Sequence, residues 1–214
     1  MMIKNNRYKL LFSSIVILLP IVFGLVFWNE LPEQMVTHWG IDGNADGWSN
    51  RYFAVFALPI FILIIHWLCI FCTTILDPKN KNQNSKVFGL VIWITPIISL
   101  VTNGIIYAAS FDKEFSPYLI TTLLIGVMFV VIGNYLPKCK QNYTIGIKVK
   151  WTLESEKNWN ATHRFGGKVW VIGGLLIMIS SFLPETIIPW VMLSSIVILA
   201  IVPMVYSYLY YKNS

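Results

Sequence analysis

Six long stretches of the chain contain no aspartate, glutamate, lysine or arginine: Leu10–Trp28, Phe53–Leu76, Val87–Phe111, Tyr118–Leu136, Val169–Leu183 and Ile187–Tyr211. Proton- and ion-coupled transporters place such groups near the bilayer midplane, so their absence argues against a pump or a secondary transporter. Catalytic signatures are lacking as well. There is no HExxH, no GxSxG and no phosphate-binding P-loop, which argues against an enzyme and gives no cofactor to expect. Cysteine is scarce: Cys69 and Cys72 lie in the second stretch and Cys139 on a basic segment, so no disulfide framework is implied. Charged residues make up only 12% of the chain, against 56% hydrophobic and nine tryptophans. That balance is the composition of a membrane protein.

A helix needs roughly 20 apolar residues to cross about 30 Å of hydrocarbon, and five of the six stretches reach that length. Val169–Leu183 is shorter. It spans if Lys168 snorkels and the bilayer thins locally; the alternative is a re-entrant hairpin with the last stretch. Taking alternate loops, one side carries fourteen bases and three acids, and the other two bases and seven acids. Lysine and arginine collect on the cytoplasmic side, so both termini are expected there. The sequence pI of 9.2 then reflects anionic inner-leaflet lipid rather than a nucleic-acid partner. The first stretch is too long for a secretory signal, and "FWNELPEQ" offers no small-residue cleavage site, so an uncleaved anchor is expected. The expected fold is an all-α integral membrane protein of the plasma membrane, with six transmembrane helices and both termini cytoplasmic. Residues 1–80 form an N-terminal two-helix module with an outer loop at 29–52. Residues 81–214 form a four-helix module with an inner loop at 137–168. Glycines seven residues apart, Gly126 and Gly133, then Gly166/Gly167 and Gly173/Gly174, place flat stripes on the fourth and fifth spans, which should pack closely.

The outer loop contains "DGNADG", which begins as a calcium loop does, with Asp42, Asn44 and Asp46 as weak candidate ligands and His38 for a softer metal. The twelfth position is Phe53, where a bidentate carboxylate is required. The other reading is a tight turn in which Gly43 and Gly47 supply positive φ and Asp46 fixes the approach to the second span. In that span His66 and Cys69 share a face; bonding of His66 to a neighbouring helix, at Asn103 for instance, is the alternative to a metal. On the inner loop, alternation at Ile145, Ile147, Val149 and Trp151 suggests an extended piece, followed by an interfacial helix from Thr152. Trp159, Thr162, His163 and Arg164 lie within two turns of it. They form either a recognition patch, with Trp159 as anchor and Arg164 gripping Glu154 or Glu156, or a belt at headgroup depth; their closeness to one another, just ahead of Gly166–Gly167, favours a packed, functional junction.

Two segments resemble a known family. "GNYLPKCKQNYTIGIKVKWTLESEKNWNATHRFGGKVWVIGG" at 133–174 is similar to the signature segment of the SdpI family of bacterial immunity proteins, through Asn134, Pro137, Gly146, Trp151, Thr152, Trp159, Thr162, His163, Arg164, Gly166 and Gly167. "LPEQMVTHWGIDGNADGWSNRYFAVFALP" resembles a small domain of unknown function that often precedes it, through Pro32, His38, Trp39, Gly43, Asp46, Gly47 and Trp48. The resemblance implies a polytopic membrane protein that protects a Gram-positive cell from a secreted peptide toxin. It also implies, for some members, capture of a small winged-helix repressor at the cytoplasmic face. It carries no catalytic residue and no cofactor, and its expected partners are membrane lipid, the peptide and that repressor, with no direct nucleic acid. The binding residues to expect are His38, Asp42, Asp46 and Trp48 outside, and Trp159, Thr162, His163 and Arg164 inside. The alternative is a transporter or membrane enzyme acting on lipid or envelope precursors through His38, Asp42 and Asp46.

Overall fold

The structure is a computed structural model that describes residues 2–41, 43–79, 83–111 and 116–213. After one helical turn, α1 (Met2–Asn5), come α2 (Arg7–Val26), strands β1 (Gln34–Trp39) and β2 (Ala45–Asn50), α3 (Leu58–Phe71), α4 (Ser85–Ser110) and α5 (Pro117–Tyr135). The chain continues through α6 (Lys150–Glu154), α7 (Glu156–Ser180) and α8 (Ile188–Lys212). Among the described residues, five helical segments are long and apolar enough to cross a membrane: Arg7–Val26, Phe53–Leu76, Ser85–Ser110, Pro117–Lys138 and Ile188–Lys212. The second of these begins and ends in π-helical turns, Phe53–Ala57 and Cys72–Leu76, around α3. The protein is thus a predominantly helical integral membrane protein.

Three features differ from the sequence reading. The outer loop is a β-hairpin rather than a bare turn, with Gln34 paired to Asn50 and Trp39 to Ala45. The inner helix starts at Lys150 rather than Thr152 and breaks at Ser155, whose Oγ accepts the Asn158 N–H at 3.2 Å and starts a new helix. That helix, α7, does not stop at Gly166–Gly167. Its N-terminal half is the expected interfacial helix and its C-terminal half the short fifth stretch, in one continuous rod of 25 residues.

Contacts divide the chain into two compact units, residues 1–74 with 89–117, and residues 75–88 with 118–214. This partition assigns most of α4 to the first unit, whereas the module boundary read from the sequence lies at 80/81. In the first unit, Met35 of β1 is fully buried with Leu31, Ala54, Val55, Ile106 and Tyr107, which seats the hairpin on helical residues. Near Pro20, where α2 lacks a backbone donor, hydroxyls of α4 reach across: Ser99 Oγ donates to the Ile17 carbonyl at 3.0 Å and Tyr107 to that of Pro20 at 2.7 Å. His66 bonds to neighbouring helices as the second reading supposed, but to Ser13 Oγ at 3.1 Å and Thr95 Oγ1 at 2.6 Å rather than to Asn103. Ser13 already donates to the Leu10 carbonyl, so the Nε2–H tautomer of His66 satisfies both hydroxyls.

In the second unit the glycine stripes do what their spacing suggests. A Cβ on Gly133 would lie 2.8 Å from the Gly167 carbonyl oxygen, and one on Gly174 would lie 2.6 Å from that of Gly126. The other member of each glycine pair faces α8: Gly166 meets Pro203, and Gly173 meets Leu199. One seven-residue repeat of Gly–Gly therefore gives α7 two flat faces about one residue apart, one for each neighbour.

Candidate functional site

On the hairpin, the tip closes with the Gly40 N–H donating to the Asn44 carbonyl at 2.8 Å, and Gly43 takes a φ of 80°. Gly47 does not have positive φ. It is glycine because His38 lies directly across the ladder, where a Cβ would come within 2.8 Å of the His38 Cβ. This close approach brings His38 Nδ1 to 2.5 Å from Asp46 Oδ1, on a pair that is largely exposed. Trp48, opposite Val36, is 55% exposed on the same hairpin. Asp42 lies outside the described residues, and among the described residues no group of three metal-ligating side chains comes together. The hairpin base is held by Arg51, which the sequence reading passed over. Its guanidinium lies 4.3 Å from the Trp28 ring centroid and donates to the Trp28 and Leu31 carbonyls at 2.7 and 3.1 Å. Because Asp46 is engaged by His38 and position 53 is phenylalanine, a calorimetric titration with calcium should give no micromolar binding.

The inner loop is a built cap rather than a linker. From the preceding helix end, Asp77 Oδ2 accepts the Tyr143 N–H at 2.7 Å and the Thr144 hydroxyl at 3.0 Å. Asn142, fully buried, accepts the Thr144 and Ile145 N–H groups on Oδ1 and donates Nδ2 to the Lys140 and Ile145 carbonyls. Gln141 Nε2 donates to the carbonyls of Thr152 and Leu153 at the end of α6. These polar side chains fold residues 139–149 over α7. Ile147 then points inward and Lys148 outward, so the alternation read from the sequence holds without a partner strand.

Beneath the cap, Trp159 and His163 are stacked at 4.0 Å with planes 19° apart, and both are at most 1% exposed. Trp159 Nε1 donates to the Cys139 carbonyl at 2.8 Å. His163 donates from Nδ1 to the Trp159 carbonyl at 2.8 Å, and its Nε2 accepts the Ile147 N–H at 3.1 Å. Both nitrogens are used and the ring is neutral, since burial pushes its pKa down to about 4. Gly146, at φ 108°, is the point where the loop passes over the imidazole; any Cβ there would collide with Nε2. Burial also pushes the Cys139 thiol up to about 11, so it is a packed, unreactive group. Thr162 donates to Asn158 Oδ1 at 2.9 Å, and Asn158 in turn accepts from Ser207 Oγ and donates to the Ser207 carbonyl, which clamps α7 to α8.

Trp159, Thr162 and His163 are therefore brought together as expected, but inside the fold. They are packed as a junction, and neither an exposed recognition anchor nor a headgroup belt, because the cap covers them. Arg164 is separated from them. It is exposed, its Nε donates to the Asn160 carbonyl at 3.3 Å, and among the described residues it pairs with neither Glu154 nor Glu156. With no bidentate carboxylate to lose, Arg164→Lys should change thermal stability by less than about 0.5 kcal/mol in a melting experiment. Asp77, Asn142, Asn158 and Ser207 are the positions that the sequence reading missed. The available signal was their polarity next to apolar runs, with no periodicity to pair them.

Residues 138–207, which hold the cap, α6, α7 and most of α8, match the family model described as the SdpI/YfhL protein family. Residues 15–63, which include the hairpin, match a domain of unknown function, DUF1648. Immunity protein SdpI of Bacillus subtilis (strain 168) is 26% identical over 206 residues, which are 96% of this chain and 97% of that protein. No solved structure matches the chain. The correspondence is end to end, the two family segments fall on the hairpin and the cap, and the apolar helices fit a multi-pass protein of the bacterial plasma membrane. The chain is thus similar from end to end to an immunity protein of that name, and its residues 138–207 match the SdpI/YfhL family model.

Proposed function

We propose that this protein confers immunity on a Gram-positive cell by binding a secreted, membrane-active peptide before it damages the bilayer. The observation that carries this reading is the full-length correspondence to Immunity protein SdpI, with both family segments present. The binding region is the hairpin that bears His38, Asp46 and the exposed Trp48, on the side of the chain whose loops hold seven acids and two bases. A cationic amphipathic peptide is drawn to such a face, and Trp48 with Tyr52 offers aromatic surface at the hairpin base. In this reading α7 is the fifth of six crossings and both termini are cytoplasmic.

Binding of a fluorescent cationic peptide to the purified protein in neutral-lipid nanodiscs tests the proposal. Association should slow as salt rises from 50 to 500 mM, and Asp46→Asn with Trp48→Ala should weaken it at least tenfold. Salt-independent association, or wild-type affinity in the double variant, would exclude the hairpin as the docking face. Thiol labelling of Asn44→Cys and Gln83→Cys from opposite sides of intact cells would support the topology, and labelling of both from one side would end it. A second reading is favoured by the rigid cap, whose exposed Lys157, Asn160 and Arg164 form one surface: it holds a soluble regulator such as a small winged-helix repressor. Co-purification of that regulator by the full-length protein, lost on charge reversal at Lys157 and Arg164, is the outcome that would favour it.

A further inference from the structure

Where α5 and α7 approach most closely, a pocket of about 330 Å³ opens beside Gly133 and Gly167, lined also by Asn134, Lys168, Val171 and Ile172. Lys168 stands at the start of the apolar half of α7, beside the end of α5. It is exposed and has no carboxylate within ion-pair distance among the described residues, and no acidic side chain lines the pocket. An ammonium beside apolar helix surface is stabilised by an anion, and among the described residues none lies within reach.

We propose that this pocket holds the headgroup of an anionic phospholipid. The phosphate accepts from Lys168 and from the exposed Asn134 amide, and an acyl chain runs along Val171 and Ile172. Gly133 and Gly167 let the two backbones come together, and the pocket lies beside that contact. A net-negative headgroup is preferred because a choline would return a positive charge to the neighbourhood of Lys168, where no protein carboxylate lines the pocket to receive it. The inference does not depend on the immunity reading.

The test is native mass spectrometry of the full-length protein released from nanodiscs of equal phosphatidylglycerol and phosphatidylcholine. One phosphatidylglycerol should be retained at least fivefold over phosphatidylcholine. Lys168→Gln and Asn134→Leu should each remove most of that preference. Lys168→Arg should keep it, as should Lys148→Gln on the exposed cap. Should Lys168→Gln fail to fold, Ile172→Trp fills the pocket from its exposed rim and should likewise remove the retained lipid. Equal retention of the two lipids by the wild type, or an undiminished preference in Lys168→Gln or Ile172→Trp, would overturn the proposal.

Discussion

Trp159→Ala should cost about 3–5 kcal/mol of stability, the largest loss expected from any single substitution in the cap. The side chain is fully buried against Val87 and Cys139, its ring supports the His163 imidazole, and its indole N–H satisfies the Cys139 carbonyl. Truncation removes the packing and leaves that carbonyl without its donor. Trp159→Phe keeps most of the volume and loses the hydrogen bond, so its cost should be nearer 1 kcal/mol. The same node sets an acid dependence. Because the imidazole titrates near 4 in the folded protein and near 6.5 when unfolded, the unfolded chain binds more protons between those values. Stability should therefore fall as the pH drops from about 6.5 to about 4, by about 3 kcal/mol, and level off below. His163→Gln, which retains an acceptor for the Ile147 N–H without titrating, should flatten that slope in detergent melting curves taken across the window. An unchanged slope would assign the acid sensitivity to another group.

Gly133→Ala should destabilise the protein by about 1–3 kcal/mol, although alanine is the better helix former. The added methyl would sit 2.8 Å from the Gly167 carbonyl oxygen and 2.9 Å from the Trp170 Cβ, so the α5–α7 contact must open. Backbone lies on the far side, and it cannot swing away as a flexible side chain would. Gly104→Ala is the matched control. Its new Cβ meets nothing within 4 Å, so the ordinary helix preference should emerge as a gain of about 0.5–1 kcal/mol. Opposite signs for two identical substitutions, read by thermal melting in one detergent, would establish that the crossing depends on absent side chains. Equal signs would mean that the helices tolerate separation.

These two results rest on features of different legibility. The glycine contacts were readable, because a seven-residue repeat is close to two helical turns and needs only local counting. The apolar runs were readable for the same reason, and lipid permits few alternatives to a helix. The hairpin was not. "ADGWSN" has little β propensity, and its pairing depends on Gly47 admitting His38, which is a tertiary fact. The cap was the least legible part, since Asp77 binds Tyr143 and Thr144 across more than sixty residues of sequence, through side chains that follow no period. A tryptophan near an arginine beside an apolar run ordinarily sits at headgroup depth, and the packing expected of Trp159 rested instead on its closeness to Thr162, His163 and the glycines, with nothing to show what covers it. Only the loop folding over it, steered by Asn142 and Gly146, makes it a core residue.

The central claim, that this chain protects a cell from a membrane-active peptide, is tested most directly by survival. A sensitive strain expressing the protein, with membrane abundance verified, is challenged with graded doses of a secreted peptide toxin to which that strain succumbs. The account predicts survival at doses that kill cells carrying the empty vector, and loss of that protection in Trp159→Ala cells in proportion to the folded protein that remains. Killing at the same dose with and without abundant wild-type protein, across the membrane-active peptides to which the strain is sensitive, would contradict it.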